Sequence, residues 1–295
     1  MTNKRPQHWA NDLTTLLNAA YGQSRFPVKI IDLAKDYSHQ VFPNDPITLV
    51  KGRALEGFEG ALAPAKAPNS GWGIFYNSAI QSEGRINFTL AHEFGHYLIH
   101  RENYPDGMNC SDRDVIISDA EYNATENEAN QFAAALLMPL DAFRTNIPDK
   151  HRPGLNDIGD SANLFGVSLI AATLRWLEYT SRRACLVVSR EGFILWSRSS
   201  KSALKTGIFF RVSGRPPIPV PASSLASNRQ FVSQQTAEAH HARGIWFADE
   251  CDEIVLFSDS YDLTLSLLHF EEKVWRFDEE PEADDCVDRI ARLGS

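Results

Sequence analysis

Phe88-Thr-Leu-Ala-His-Glu-Phe-Gly-His-Tyr-Leu-Ile-His100 is the stretch from which the rest of the chain is read. Its apolar residues recur at helical spacing, which predicts a helix from about Gly84 to His100. Within it stands His92-Glu93-x-x-His96. Residues four apart leave one face of a helix a single turn from each other. Two imidazoles so placed suit one tetrahedral metal ion, and a glutamate beside them suits proton transfer with a water at that ion. In a chain of 295 residues with nine histidines, this pattern arises by accident roughly 0.02 times. The chance reading is therefore the weaker one.

Two histidines hold zinc poorly alone, so a third protein ligand is expected downstream, leaving a fourth position open. By residue type the candidates are Glu121, Glu126, Glu128, His100 and His151. Residues 124–138 form a second helical pattern with an alanine-rich face, and Pro139 marks where it should break. Glu126, Ala129, Asn130 and Ala133 share one stripe at i, i+3, i+4 and i+7. Glu128 points about 160° away from Asn130 on such a helix. Geometry thus favours Glu126, with Glu128 as the alternative. Asn130 suits either orienting a ligand or packing the helix. Tyr97, His100 and His151 are the candidates, by type only, for stabilising an oxyanion.

Taken together, the first stretch and Glu126-x-x-Ala129-Asn130-x-Phe132-Ala133-Ala-x-Leu-Leu-Met-Pro139 resemble the ImmA/IrrE family of bacterial zinc metallopeptidases. Pro27-Val…Ala34 and Phe165-Gly-Val-Ser168 extend the resemblance over roughly residues 25–180. The resemblance implies zinc on His92, His96 and Glu126, with Glu93 as general base. It also implies cleavage of a regulatory protein, a helix-turn-helix transcriptional repressor. Phe94 stands where many relatives carry Leu or Ile, a core-facing position that changes no chemistry.

The remaining chain fits an α+β protein. A zincin-like domain of helices and a small sheet occupies residues 1–180, and a β-rich domain with no matching motif occupies residues 181–295. Helices are expected at residues 9–22 and 27–36, followed by strands at 47–50, 58–62 and 73–76. By analogy with zinc peptidases, an edge strand of that sheet would hold an extended substrate. A helix pair at 155–164 and 168–179 has helix-turn-helix spacing, but its second helix carries one base before Arg182, namely Arg175. Beyond it, a hairpin at 185–197 and strands at 207–212, 244–247, 253–257 and 263–270 are expected, with 215–221 an extended loop and His240-His241 a loop pair.

A formal charge of −9 argues against a nucleic-acid surface over the whole protein. No apolar run approaches the ~20 residues that span a bilayer. Cys110, Cys185, Cys251 and Cys286 form no CxxC pair and fit a reducing compartment. With a polar N-terminus, the expectation is a cytoplasmic protein. Two other readings stay open: a regulatory or DNA-binding protein that keeps the fold and hardly cleaves, and a zinc hydrolase or binding module of another class.

Overall fold

A computed structural model describes residues 4–66, 68–110, 120–228, 236–258 and 261–273. Residues 111–119 and 274–295, Cys286 among them, lie outside the described residues.

The N-terminal half is built around α3 (Glu83–Ile99), the helix of the opening stretch. Before it come α1 (Pro6–Tyr21), α2 (Ile30–Val41) and strands β1 (Ile47–Arg53), β2 (Gly60–Pro64) and β3 (Trp72–Asn77). A short fourth strand, β4 (Met108–Cys110), completes a sheet of order β1-β3-β2-β4. β1 and β3 run parallel, while β2 is antiparallel to both of its neighbours. β2 is therefore an inner strand, and β1 and β4 are the outer strands of this sheet.

After β4 the chain continues as α4 (Ala120–Leu137), α5 (Leu140–Asn146), α6 (Leu155–Phe165) and α7 (Leu169–Tyr179). Ser82 starts α3 by accepting from the Arg85 amide, and Ser168 starts α7 by accepting from the Ala171 amide, each satisfying a donor that a helix start leaves open. The α6–α7 turn is seated on the start of α3. A β-carbon at Gly84 would lie 2.4 Å from the Val167 carbonyl carbon, so only glycine permits the approach. Asn87 donates to the Gly166 carbonyl across the same contact at 3.0 Å. At the other end of α3, Arg101 donates to Asp45 (3.0 Å) and to the Tyr97 carbonyl, with Phe42 and Tyr97 stacked on its guanidinium.

The C-terminal region is a six-stranded antiparallel sheet of order β7-β6-β5-β10-β9-β8. Its strands are β5 (Arg183–Arg190), β6 (Phe193–Ser199), β7 (Ile218–Pro219), β8 (Thr236–His241), β9 (Cys251–Ser258) and β10 (Leu263–Phe270), with helix α8 (Lys201–Lys205) after β6. The inner face, with Leu186, Val188, Ile254 and Leu267, joins the core that contains Phe94, Phe132 and Trp176. The outer face, with Val187, Val255, Leu268 and Phe270, has a core of its own.

The segments 207–212 and 244–247 depart from the strand expectation. They are irregular and lie over the outer face, where Ile208, Phe210, Trp246 and Phe247 cover it. Their apolar content reflects that cover, not pairing in a ladder. His240-His241 departs in the opposite sense, since it ends β8. Ile218–Pro219, inside the expected loop, forms a two-residue edge strand on β6.

Beneath the cover sits Glu253, fully buried. It accepts hydrogen bonds from the Leu225 and Ala226 amides (2.8 and 3.2 Å), His241 Nε2 (2.7 Å), Trp246 Nε1 (3.2 Å) and Ser266 Oγ (2.8 Å). One carboxylate thus ties two cover segments to three strands. Glu253→Ala would leave those donors buried without an acceptor, and it is expected to cost about 3 kcal/mol or more. Urea unfolding of the purified variant checks this, and an unchanged midpoint would contradict it.

Candidate metal centre

Both motif histidines leave the buried face of α3, His92 at 7% exposure and His96 at 0%. Their Nε2 atoms face each other at 2.9 Å. Glu126 reaches them from α4, with Oε2 at 3.1 Å from His92 Nε2 and Oε1 at 3.2 Å from His96 Nε2. α4 comes this close because α3 has Gly95 at the contact: a β-carbon there would lie 2.9 Å from Phe132 Cδ1 and 3.4 Å from Ala129 Cα. The alanine face anticipated for α4 is real, with Ala129 and Ala133 fully buried.

Among the described residues, His92, His96 and Glu126 form a group able to hold a metal ion. Donor atoms around a tetrahedral zinc with bonds of about 2.0–2.1 Å sit about 3.3 Å apart. The 2.9 Å between the two Nε2 atoms, and the 3.1 and 3.2 Å from them to the two Glu126 oxygens, are of that order, and two imidazoles with a carboxylate are an ordinary zinc donor set. The residues fit the ion.

Electrostatics within the cluster follow from its burial. Desolvation holds His96 down, to about 4, against its hydrogen bond with Glu126. His92 is desolvated too, but Glu126 and the Glu93 carboxylate prevail and raise it. Burial opposes ionisation of Glu126, yet hydrogen bonds from both histidines keep its carboxyl well below the usual range.

Glu93 is fully buried beside the cluster and packs on β2. A β-carbon at Gly60 would fall 2.4 Å from Glu93 Oε1 and 2.7 Å from Thr89 Cγ2. The wall facing Glu93 is therefore bare strand backbone. Sequence reading gives no hint of Gly60, because its role is defined by a side chain 33 positions away.

The other candidates fall elsewhere. Tyr97 is fully buried, and its hydroxyl donates to the Asp45 carbonyl at 2.7 Å. His151 lies half-exposed near Asp157. His100 sits behind the cluster, with Nδ1 at 3.0 Å from His96 Nδ1 and Nε2 at 2.9 Å from Glu128 Oε2. Glu128 is thus outside the donor triad but two hydrogen bonds from it. Asn130 Oδ1 lies 3.0 Å from His92 Nδ1, as a group orienting that ring would.

Residues 50–177 match the family model Peptidase_M78, the IrrE N-terminal-like domain. Over this portion the chain is similar to that family of metallopeptidases. No curated protein matches the chain.

Gly60→Ala is expected to displace the Glu93 carboxyl while leaving all three donors in place. Turnover should fall roughly 100-fold, as misplacement of a reacting group by about 1 Å can cost. Measuring kcat alongside bound metal checks the separation. Full activity, or parallel loss of metal, would contradict it.

Proposed function

We propose that this chain is a zinc-dependent endopeptidase that cuts a regulatory protein, with a helix-turn-helix transcriptional repressor as the substrate class. The observation that carries the catalytic part is the convergence of His92, His96 and Glu126 into one donor set with the buried Glu93 beside it. Zinc, when bound, supplies Lewis acidity to a water and to the scissile carbonyl. His92 and His96 present their Nε2 lone pairs and Glu126 a carboxylate, which leaves one side of a tetrahedral set open. Glu93 accepts the proton of the attacking water and delivers it to the leaving amine. Its burial against Gly60 excludes bulk water and holds the carboxylate in one place. The substrate class is supported by the family, whose resembled members act on repressors.

A cytoplasmic site of action is supported by two buried free thiols, Cys185 and Cys251, which suit a reducing compartment. Among the described residues no helix is long and apolar enough to cross a membrane.

The DNA-binding reading loses support at α7. Arg175, the base it depends on, is buried, donating to the Met138 carbonyl (2.8 Å) and to Glu178 (2.5 Å). A guanidinium so engaged is not free for a phosphate.

The test is incubation of the zinc-loaded protein with helix-turn-helix proteins encoded beside its gene, with fragments followed by electrophoresis and mass spectrometry. Wild type should cut one of them at a single position. Glu93→Gln should keep zinc and lose roughly 10²–10⁴-fold in rate. Undiminished cleavage by that variant would remove Glu93 from its role, and intact repressors with a zinc-loaded wild type would overturn the substrate class.

A further inference from the structure

We propose that His100 and Glu128 are positioning residues of the metal centre, forming with His96 a serial hydrogen-bonded relay that fixes the proton pattern and orientation of that ligand. This rests on the reading above that His92, His96 and Glu126 hold the ion.

A metal-bound imidazole offers a lone pair at one nitrogen and carries its proton on the other. In His96 the nitrogen facing the donor set is Nε2, so Nδ1 bears the hydrogen. Its neighbour is His100 Nδ1 at 3.0 Å, which must accept. The proton of His100 then sits on Nε2, which faces Glu128 Oε2 at 2.9 Å. A carboxylate can only accept, so the direction is closed: His96 Nδ1–H to His100 Nδ1, then His100 Nε2–H to Glu128. One assignment satisfies every atom of the series, and the demand of the ion at His96 Nε2 selects it.

The placement follows from the fold. His100 stands one turn beyond His96 at the end of α3, where its amide donates to the His96 carbonyl at 2.8 Å. It is 3% exposed, so water does not compete for its ring nitrogens. Glu128 is half-exposed and reaches over from α4. His92 is held differently, its Nδ1 meeting the neutral Asn130 amide oxygen. A relay ending in a carboxylate holds the His96 ring with its Nε2 lone pair toward the donor set, and its partners should matter for metal affinity as outer groups on ligand histidines do.

The experiment is zinc affinity by chelator competition, with the visible spectrum of the cobalt-substituted protein as a second readout. His100→Phe and Glu128→Ala should each weaken zinc binding roughly 10–100-fold and alter the cobalt bands. Glu128→Gln, which keeps an acceptor oxygen, should recover most of the affinity. Because the relay is serial, His100→Phe combined with Glu128→Ala should be no weaker than His100→Phe alone, whereas two independent packing contributions would multiply. Should His100→Phe fail to fold, Glu128→Ala alters a half-exposed side chain and decides the question with Glu128→Gln. Glu126→Ala is the reference: if it keeps full zinc affinity, the metal-centre reading itself fails. If Glu126→Ala loses zinc while His100→Phe and Glu128→Ala bind as wild type with unchanged spectra, the relay is overturned and the centre stands.

Discussion

The close contact of α3 with α4 at Gly95 is the constraint on which the site depends. Two donors come from one helix and the third from the other, and atoms 3.1–3.2 Å apart cannot survive a shift of the helix axes by even a methyl radius. Gly95 supplies the missing volume on α3, and Ala129 and Ala133 supply it on α4. Larger residues follow directly: Phe132 packs edge-on against Phe94, and Phe94 stacks on Tyr97. Small residues set the separation, and the aromatic ring cluster beneath keeps it from varying.

Such a site is costly to assemble, because it places Glu93, His96 and His100 where water cannot solvate them. The fold offsets that cost by leaving α3 little freedom. Gly84 and Asn87 lock its start to the α6–α7 turn, and Arg101 with Asp45 locks its end. Asp45 also takes the Trp72 indole at 2.7 Å, so the same anchor holds β3. The helix is indexed along its axis at both ends, and the contact at Gly95 fixes its rotation. Polar groups then meet their partners without the side-chain search that makes exposed ion pairs weak.

How much of this was legible in sequence depends on whether the information is local. His92, Glu93 and His96 lie within five residues on one helix, so their spacing announces the convergence. Glu126 and Asn130 were readable for the same reason, as members of one stripe. Glu128 was harder, because a helical wheel gives the direction of a side chain and not its reach. It does leave the stripe, but His100 comes to meet it, and that encounter belongs to two helices rather than one. Gly60 lay beyond reach altogether, since nothing in Phe58–Leu62 says which side chain it faces. The misread segments 207–212 and 244–247 teach a related lesson: apolar residues that cover a sheet resemble those that build one. β8 was missed for the converse reason, as Thr-Ala-Glu-Ala-His-His has little β-branched content and half of it faces solvent.

The α6–α7 pair shows why spacing alone misleads about function. Its helix-turn-helix pattern is genuine as geometry, yet each conspicuous residue is spent on packing. Phe165 stacks on Phe143, and Gly166 turns the chain at φ 62° where a β-carbon would strike Pro27. Arg175 closes the end of α4 through the Met138 carbonyl, and Trp176 packs on His269 of β10. The pair therefore touches the start of α3, the end of α4 and the inner face of the second sheet. A sheet joined in this way shares a core with the helices that carry His92, His96 and Glu126 instead of hanging from them by a linker. The two helices that carry the donors and the sheet that carries Glu253 are thus set against one common support, and the register of each is fixed through it.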